Sequence, residues 1–427
     1  MYMFKFNFWR KMMGKKYSKG GIIALCSLVY FVSYFSRKDF AAVMEGMISD
    51  FVIERSLAGL ALTMLFIFYG AGQLISGYLG DKFKPSYIIM FGLSTTALCN
   101  LCMPLVSSDA LMVAIWGVNG FAQAMLWPPI VKILSAHLEH EQYVTANVIV
   151  TSAAHVSTIL LYLYAPLCLK FMNWKMVFFT SSALALLALG IFIIALSFVL
   201  PKEPTVSVVK KSSVAASNEP VMRLFKKTGV IPIFVCIVMC GFLRDGIESW
   251  LPTLYAEAFN RDPEESILVA VILPIFSILS VSFIKAVHKV KVFNNEATGT
   301  ALLFGVAVVL CVPLAFFISI SAVWARVISL FLTAFICAAM HGINFLLISC
   351  IPGRFARYGR ASTVSGVTNS CIYIGAARAT YGIALVSEEM GWTVTVISWI
   401  AIAIVGIVMT IPAYKKYTAF VKENDKE

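Results

Sequence analysis

Apolar runs of about twenty residues recur along nearly the whole of this 427-residue chain, and a helix of that length crosses the hydrocarbon core of a bilayer. Lipid offers no hydrogen bonds to a backbone, so each run must satisfy its own donors and acceptors as a helix. A transmembrane barrel would instead show short alternating segments. Six runs fall at about 21–45, 57–79, 86–106, 110–133, 143–167 and 176–200, and six more at about 230–256, 265–288, 297–318, 323–350, 362–386 and 391–413. Composition agrees: 60% of residues are hydrophobic and 13% charged, against about 25% charged in a soluble chain.

The one long polar stretch, PKEPTVSVVKKSSVAASNEPVMRLFKK, lies between the two sets and is rich in Ser, Pro and Lys. The expected organisation is a first six-helix half over 1–200, a cytoplasmic linker over 201–229 and a second half over 230–427. The expected fold is an all-α membrane protein whose twelve transmembrane helices form two pseudo-symmetric halves around a central cavity.

Lys and Arg gather at both termini, in the linker and in every second loop, whereas the opposite loops hold little beyond Arg55, Lys170, Lys175, Arg261 and Arg326. That asymmetry predicts cytoplasmic termini in a multi-pass protein of a cell membrane, the bacterial inner membrane being the expected one. It also accounts for the net charge of +12 without nucleic acid; the bilayer is the expected surroundings. The basic N-terminus precedes an apolar run too long for a signal peptide and lacking a cleavage site. All ten cysteines fall within or at the ends of apolar runs, so no disulfide framework is expected. Cys99 and Cys102 have CxxC spacing without a second pair, and neither a metal nor a cofactor is expected.

Charges inside the runs carry the functional signal. Arg37 lies about 27 Å along a helix from Lys19 and about 20 Å from Asp50. A charge at that depth costs at least about 2.5–3.5 kcal/mol on insertion scales, so something must compensate for it. Arg244 holds a matching depth in the first run of the second half. Two guanidinium forks from opposite halves suit a phosphate or carboxylate in a shared cavity. The alternative is ion pairing within the protein, with Glu248 at i+4 from Arg244 and with the adjacent acids Asp39 and Asp245. Lys38, turned about 100° from Arg37, either serves the cavity or pairs with Asp39. Arg378 is a third arginine in apolar sequence, which contacts an anionic ligand or pairs with an acid such as Glu248. His155 and His341 are the deep histidines; His155 is read as a cavity residue able to change charge near neutral pH, and His341 as a helix-helix hydrogen bonder. In the fourth run, Pro128 and Pro129 bend the helix beside Trp127, whose indole suits a polar cavity.

Several segments together resemble the organophosphate:phosphate antiporters of the major facilitator superfamily, the group of the glycerol-3-phosphate and hexose-6-phosphate transporters. They are SYFSRKDFAAVM around Arg37, YGAGQLISGYLGDKFKP with its G-x-x-x-D-K-x-K loop signature, NGFAQAMLWPPI, the helix bearing His155, FLRDGIESWLPTLY, and Tyr373-Ile-Gly375 with the later Gly391-Trp392. The resemblance implies that Arg37 and Arg244 bind the phosphate moiety, that Tyr69, Trp127, His155 and Tyr373 line the site, and that transport is alternating-access exchange. The chain departs from the family at Gln73, where some relatives carry lysine, at Ser249 before Trp250, where the family acid is shifted to Glu248, and at Ala376-Ala377-Arg378, where hexose-phosphate importers carry an acid–lysine pair.

The expected function is therefore antiport of a phosphorylated small metabolite, a sugar phosphate or glycerol phosphate, against inorganic phosphate. The alternatives are a sugar-phosphate sensor that signals to a membrane kinase, and a proton-coupled organic-anion symporter leaning on His155, Glu248 or Asp39. No enzyme is expected, because no nucleophile–base pair stands out.

Overall fold

The computed structural model describes residues 19–50, 52–138, 140–199, 220–287, 293, 295–355, 358 and 361–424. The first half consists of α1 (Lys19–Ser49), α2 (Arg55–Lys82), α3 (Pro85–Cys102), α4 (Asp109–Ala124), α5 (Trp127–His137), α6 (His140–Phe171) and α7 (Lys175–Val199). The short amphipathic α8 (Val221–Thr228) precedes the second half. There follow α9 (Ile231–Ala258), α10 (Pro263–Val269), α11 (Ile272–Val287), α12 (Glu296–Phe317), α13 (Val323–Asn344), a π-helical turn (Phe345–Cys350), α14 (Ile351–Arg354) and α15 (Ala361–Asn424).

Among the described residues twelve spans result. Ten helical stretches are long and apolar enough to cross a bilayer, and α9 adds another when counted with α8, which meets it at 86°. The last stretch contains Gly391, whose φ of +79° breaks α15 into two spans. An L side chain rarely adopts that backbone angle, which is why glycine stands there. The outward-facing side chains of the bundle are large and apolar, among them Leu74, Phe171, Val309 and Ile411, as lipid contact requires.

Two spans are built differently from the continuous helices expected. The fourth breaks at Met125 and Leu126, and Trp127, Pro128 and Pro129 open α5 rather than kinking a helix interior. Proline tolerates the first turn because its missing N–H has no helical partner there. The eighth breaks between α10 and α11, so Pro274 lies in the first turn of a new segment. The sequence 200–219 within the expected linker lies outside the described residues, but its end is helical: α8 buries Leu224 and Phe225 and closes on Gly229 at φ +72°.

The two halves meet where α2 packs on α15, α6 on α10 and α11, and α1 on α9 and α10. Their packing is tightest at the end of the bundle opposite both described termini. There Arg55 of α2 bonds Glu257 of α9, and the indole Nε1 of Trp392 donates to the other oxygen of Glu257 at 2.8 Å. One turn further in, a Cβ on Gly59 would meet the Cβ of Ala384 at 2.7 Å and the Thr380 carbonyl at 3.0 Å. Thr63 Oγ1 donates to the Ala377 carbonyl at 2.9 Å, and Trp250 Nε1 to that of Thr380 at 3.0 Å. Among the described residues, the hydrogen bonds between halves fall at midspan or on this side of it.

Candidate functional site

Midspan, α1 and α9 face one another and bring their charges together. Arg37 is 7% exposed. Its guanidinium carbon lies 4.1 Å from the ring centre of Tyr34 and 4.9 Å from that of Tyr69. An aromatic face attracts a cation by about 0.5–2 kcal/mol, so the two rings hold the guanidinium in place without neutralising it. Among the described residues Arg37 has no carboxylate partner. Neighbouring Asp39 is fully buried and points elsewhere, its Oδ1 accepting from the Phe40 N–H.

Arg244 is held differently. One of its terminal nitrogens donates to Asp245 Oδ2 at 2.7 Å and the other to Asn344 Oδ1 at 2.7 Å. Gly241 and Gly375 let α9 and α15 meet backbone to backbone one turn away, because any Cβ at either position would strike the opposite chain. That contact brings Tyr373 towards the arginines: its ring packs 4.6 Å from that of Tyr69.

Midspan, a second ion pair joins the halves besides Arg55–Glu257. Lys38 Nζ contacts Glu248 Oε2 at 2.6 Å, and the other oxygen, Oε1, lies 2.6 Å from His341 Nε2 and 4.0 Å from Cys337 Sγ. Lys38 thus pairs neither with Asp39 nor with open space, and Glu248 does not take Arg244 despite its i+4 spacing. Ion pairs this deep are costly to desolvate and strongly destabilising to break from one side, by about 3–5 kcal/mol.

The remaining expected residues divide. Trp127 packs at 4.7 Å on Tyr30 with the rings tilted, and Tyr30 in turn packs against Tyr34, so Trp127 joins the aromatic wall of the first half. His155 lies with its ring 6.1 Å from that of His341, one step behind Glu248. Gln73 donates to the Ala124 carbonyl at 3.3 Å. Arg378 is not brought to this cluster. It is exposed, one turn from exposed Ile374 and near exposed Tyr381, on the outward face of α15 beside an apolar groove lined by Ile67, Leu74 and Ile374. In the GYLGDKFK segment the side chains of Gly77, Tyr78, Gly80, Asp81 and Lys82 lie outside the described residues. Sequence reading did not pick out Asn344 or Cys337, and it ranked His341 below His155. The i, i+4 and i+7 spacing of Cys337, His341 and Asn344 on one face of α13 was the signal available.

Comparison with known proteins supplies the context. The family profile described as Major Facilitator Superfamily matches residues 26–380. A protein of Chlamydia muridarum described as a "probable hexose phosphate transport protein" is 22% identical over 416 residues, covering 90% of this chain and 88% of its own. The glycerol-3-phosphate transporter of Bacillus subtilis is 25% identical over 55% of this chain and 56% of its own. The membrane sensor protein UhpC of Escherichia coli is 27% identical over 31% of this chain and 28% of its own. Among solved structures, the nucleoside transporter NupG superposes with a TM-score of 0.74 at 13% identity, over 92% of this chain and all of that one.

Proposed function

Because this chain belongs to the major facilitator superfamily, we propose that it exchanges a phosphorylated small metabolite, a sugar phosphate or glycerol phosphate, for inorganic phosphate by alternating access. The observation that carries this reading is Arg37: a buried midspan guanidinium, held between tyrosine faces, with no carboxylate partner among the described residues. A permanent cation in that setting requires an anion, and a ligand phosphate supplies one. Relatives that carry hexose phosphate and glycerol-3-phosphate support the phosphorylated cargo.

Arg37 and Arg244 stand in opposite halves. In this reading Arg37 offers its fork directly, whereas Arg244 contributes the donors not engaged by Asp245 and Asn344. Tyr69, Tyr373, Trp127 and His155 form the surrounding wall. The phosphate also competes with Glu248 for Lys38, and the inter-half ion pair is exchanged for a ligand bridge. Binding then changes which inter-half contacts exist, which is the only way a ligand can shift a conformational equilibrium. With both termini cytoplasmic, as the basic loops imply, the Arg55–Glu257–Trp392 end is the outer seal.

The test is exchange of labelled phosphate in proteoliposomes. Arg37→Lys and Arg244→Lys keep the charge and lose the bidentate fork, so each should abolish exchange. Near wild-type rates in either variant would overturn the assignment.

A second reading, a sugar-phosphate sensor acting on a membrane kinase, is favoured by the local match to a membrane sensor protein. Counterflow separates the two: a sensor binds the ester and gives little exchange.

A further inference from the structure

We propose that Glu248, Cys337 and His341 form a binding site for a zinc-class divalent cation, with Lys38 steadying the metal-binding carboxylate from its other oxygen. Each of the three residues offers one ligand atom, and these atoms lie within 4.8 Å of one another. Cys337 and His341 are one turn apart on α13 and present their side chains to the same face, towards Glu248 on α9.

The donor set selects the class of ion. One thiolate, one imidazole and one carboxylate are zinc ligands, whereas calcium and magnesium take oxygen. Metal bonds of about 2.0–2.3 Å put the ligand atoms of a tetrahedral site roughly 3.3–3.8 Å apart. His341 Nε2 and Glu248 Oε1 stand at 2.6 Å and Cys337 Sγ and Oε1 at 4.0 Å, so the first pair has to part and the second to close by less than about 1 Å, while Cys337 Sγ and His341 Nε2, within 4.8 Å, close by up to about 1.5 Å. These are side-chain movements and need no shift of either helix.

The two carboxylate oxygens already have separate tasks. Oε1 faces the thiol and the imidazole, and Oε2 faces the Lys38 ammonium. A metal on Oε1 leaves the Lys38 contact in place as the outer hydrogen bond that orients a ligating carboxylate. Binding displaces the thiol proton of Cys337 and any proton shared between His341 and Glu248. Three protein ligands leave a fourth position open. Lys38 and Arg244 oppose a cation here, while Asp245 offsets Arg244 through their direct pairing. Lys38 is therefore the main electrostatic competitor. The three metal ligands are not among the proposed phosphate donors, Lys38 alone being shared, so metal binding without phosphate is tested separately from the proposed exchange.

Cobalt(II) titration of the purified full chain in detergent tests the proposal by absorption. The expected result is one equivalent bound, with intense tetrahedral d–d bands and a near-ultraviolet sulfur-to-cobalt band, all displaced by zinc. Cys337→Ser should abolish the sulfur band, and Cys311→Ser, a buried thiol on α12, should leave it. His341→Gln should weaken binding by at least about 10-fold, the loss typical even of residues that only support a metal ligand. A wild-type chain without the sulfur band at saturating cobalt, or a band that survives Cys337→Ser, overturns the proposal. Should Cys337→Ser fail to fold, zinc-edge X-ray absorption of the wild-type chain decides: one sulfur bonded to the metal supports the site, and none refutes it.

Discussion

Gly59→Ala should open the sealed end of the bundle. Its new Cβ would stand 2.7 Å from the Cβ of Ala384 and 3.0 Å from the Thr380 carbonyl, where ordinary contacts begin at 3.4 Å. Neither obstacle is the tip of a flexible side chain, so no rotamer change relieves the overlap. The α2 and α15 backbones must separate by roughly 0.7 Å, and overpacking of this kind costs about 1–3 kcal/mol. The cost applies only to the state in which these helices touch. It therefore shifts the balance between the closed and open arrangements of that end by about 5–150-fold. The separation also stretches the Thr63 bonds to Ala377 and Thr380. Hydrogen–deuterium exchange in nanodiscs reads the outcome: peptides covering 52–64 and 377–390 should exchange faster by that factor, and those at the other end of α2 and α15 more slowly. Unchanged exchange in both segments, with the variant folded, would refute the assignment of Gly59 to the seal.

Other outcomes follow from the same geometry. Glu257→Gln removes the charge that holds Arg55 but keeps an acceptor for Trp392, so it should shift the same peptides less than Gly59→Ala does, partly exposed ion pairs contributing about 0–1 kcal/mol. Tyr69→Phe retains the aromatic face under Arg37 and should leave phosphate affinity near wild type. Tyr69→Ala should weaken it by about 0.5–2 kcal/mol, measured as a shift in half-saturation for exchange. Glu248→Gln should destabilise the folded chain in thermal unfolding by up to about 3–5 kcal/mol, and Lys38→Met with Glu248→Gln together by less than the sum of the two. Arg378→Gln should change half-saturation for the ester by no more than about twofold, as for a surface substitution.

Much of this molecule is legible in its sequence because lipid imposes a simple rule. Runs such as 57–79 and 297–318 announce their helices by length and hydropathy alone, and the observed α2 and α12 contain them closely. The matching midspan depth of Arg37 in α1 and Arg244 in α9 is legible as well, since depth in a span can be counted from its ends. Partners across the halves are not countable in this way. Lys38 and Glu248 are 210 positions apart, and their contact depends on how α1 and α9 are rotated about their axes. The same rotation decides that Arg244 turns to Asp245 and Asn344, and that Arg378 faces outward while Tyr373, five residues earlier, faces the arginines. Sequence supplies the spacing along a helix; the angle at which its face meets its neighbour comes from packing. Breaks are hard to place for a related reason. Pro128 and Pro129 mark the fourth span as interrupted, yet proline is compatible with both a kink and a helix start.

The π-helical turn in the tenth span has a mechanical meaning. On one side of it, Asn344 is fastened to Arg244. On the other, Arg354 is fastened through its Nε to Glu296 at 2.6 Å, and Glu296 is fully buried and also accepts from Tyr417. Between these two pins, Phe345–Cys350 winds one hydrogen-bond step wider than an α-helix. The span thus holds spare thread. If Phe345–Cys350 tightens to α geometry, the two pins turn relative to each other by up to about one residue's rotation, roughly 100°. The midspan contacts could then swivel while the anchored foot of the helix stays where it is.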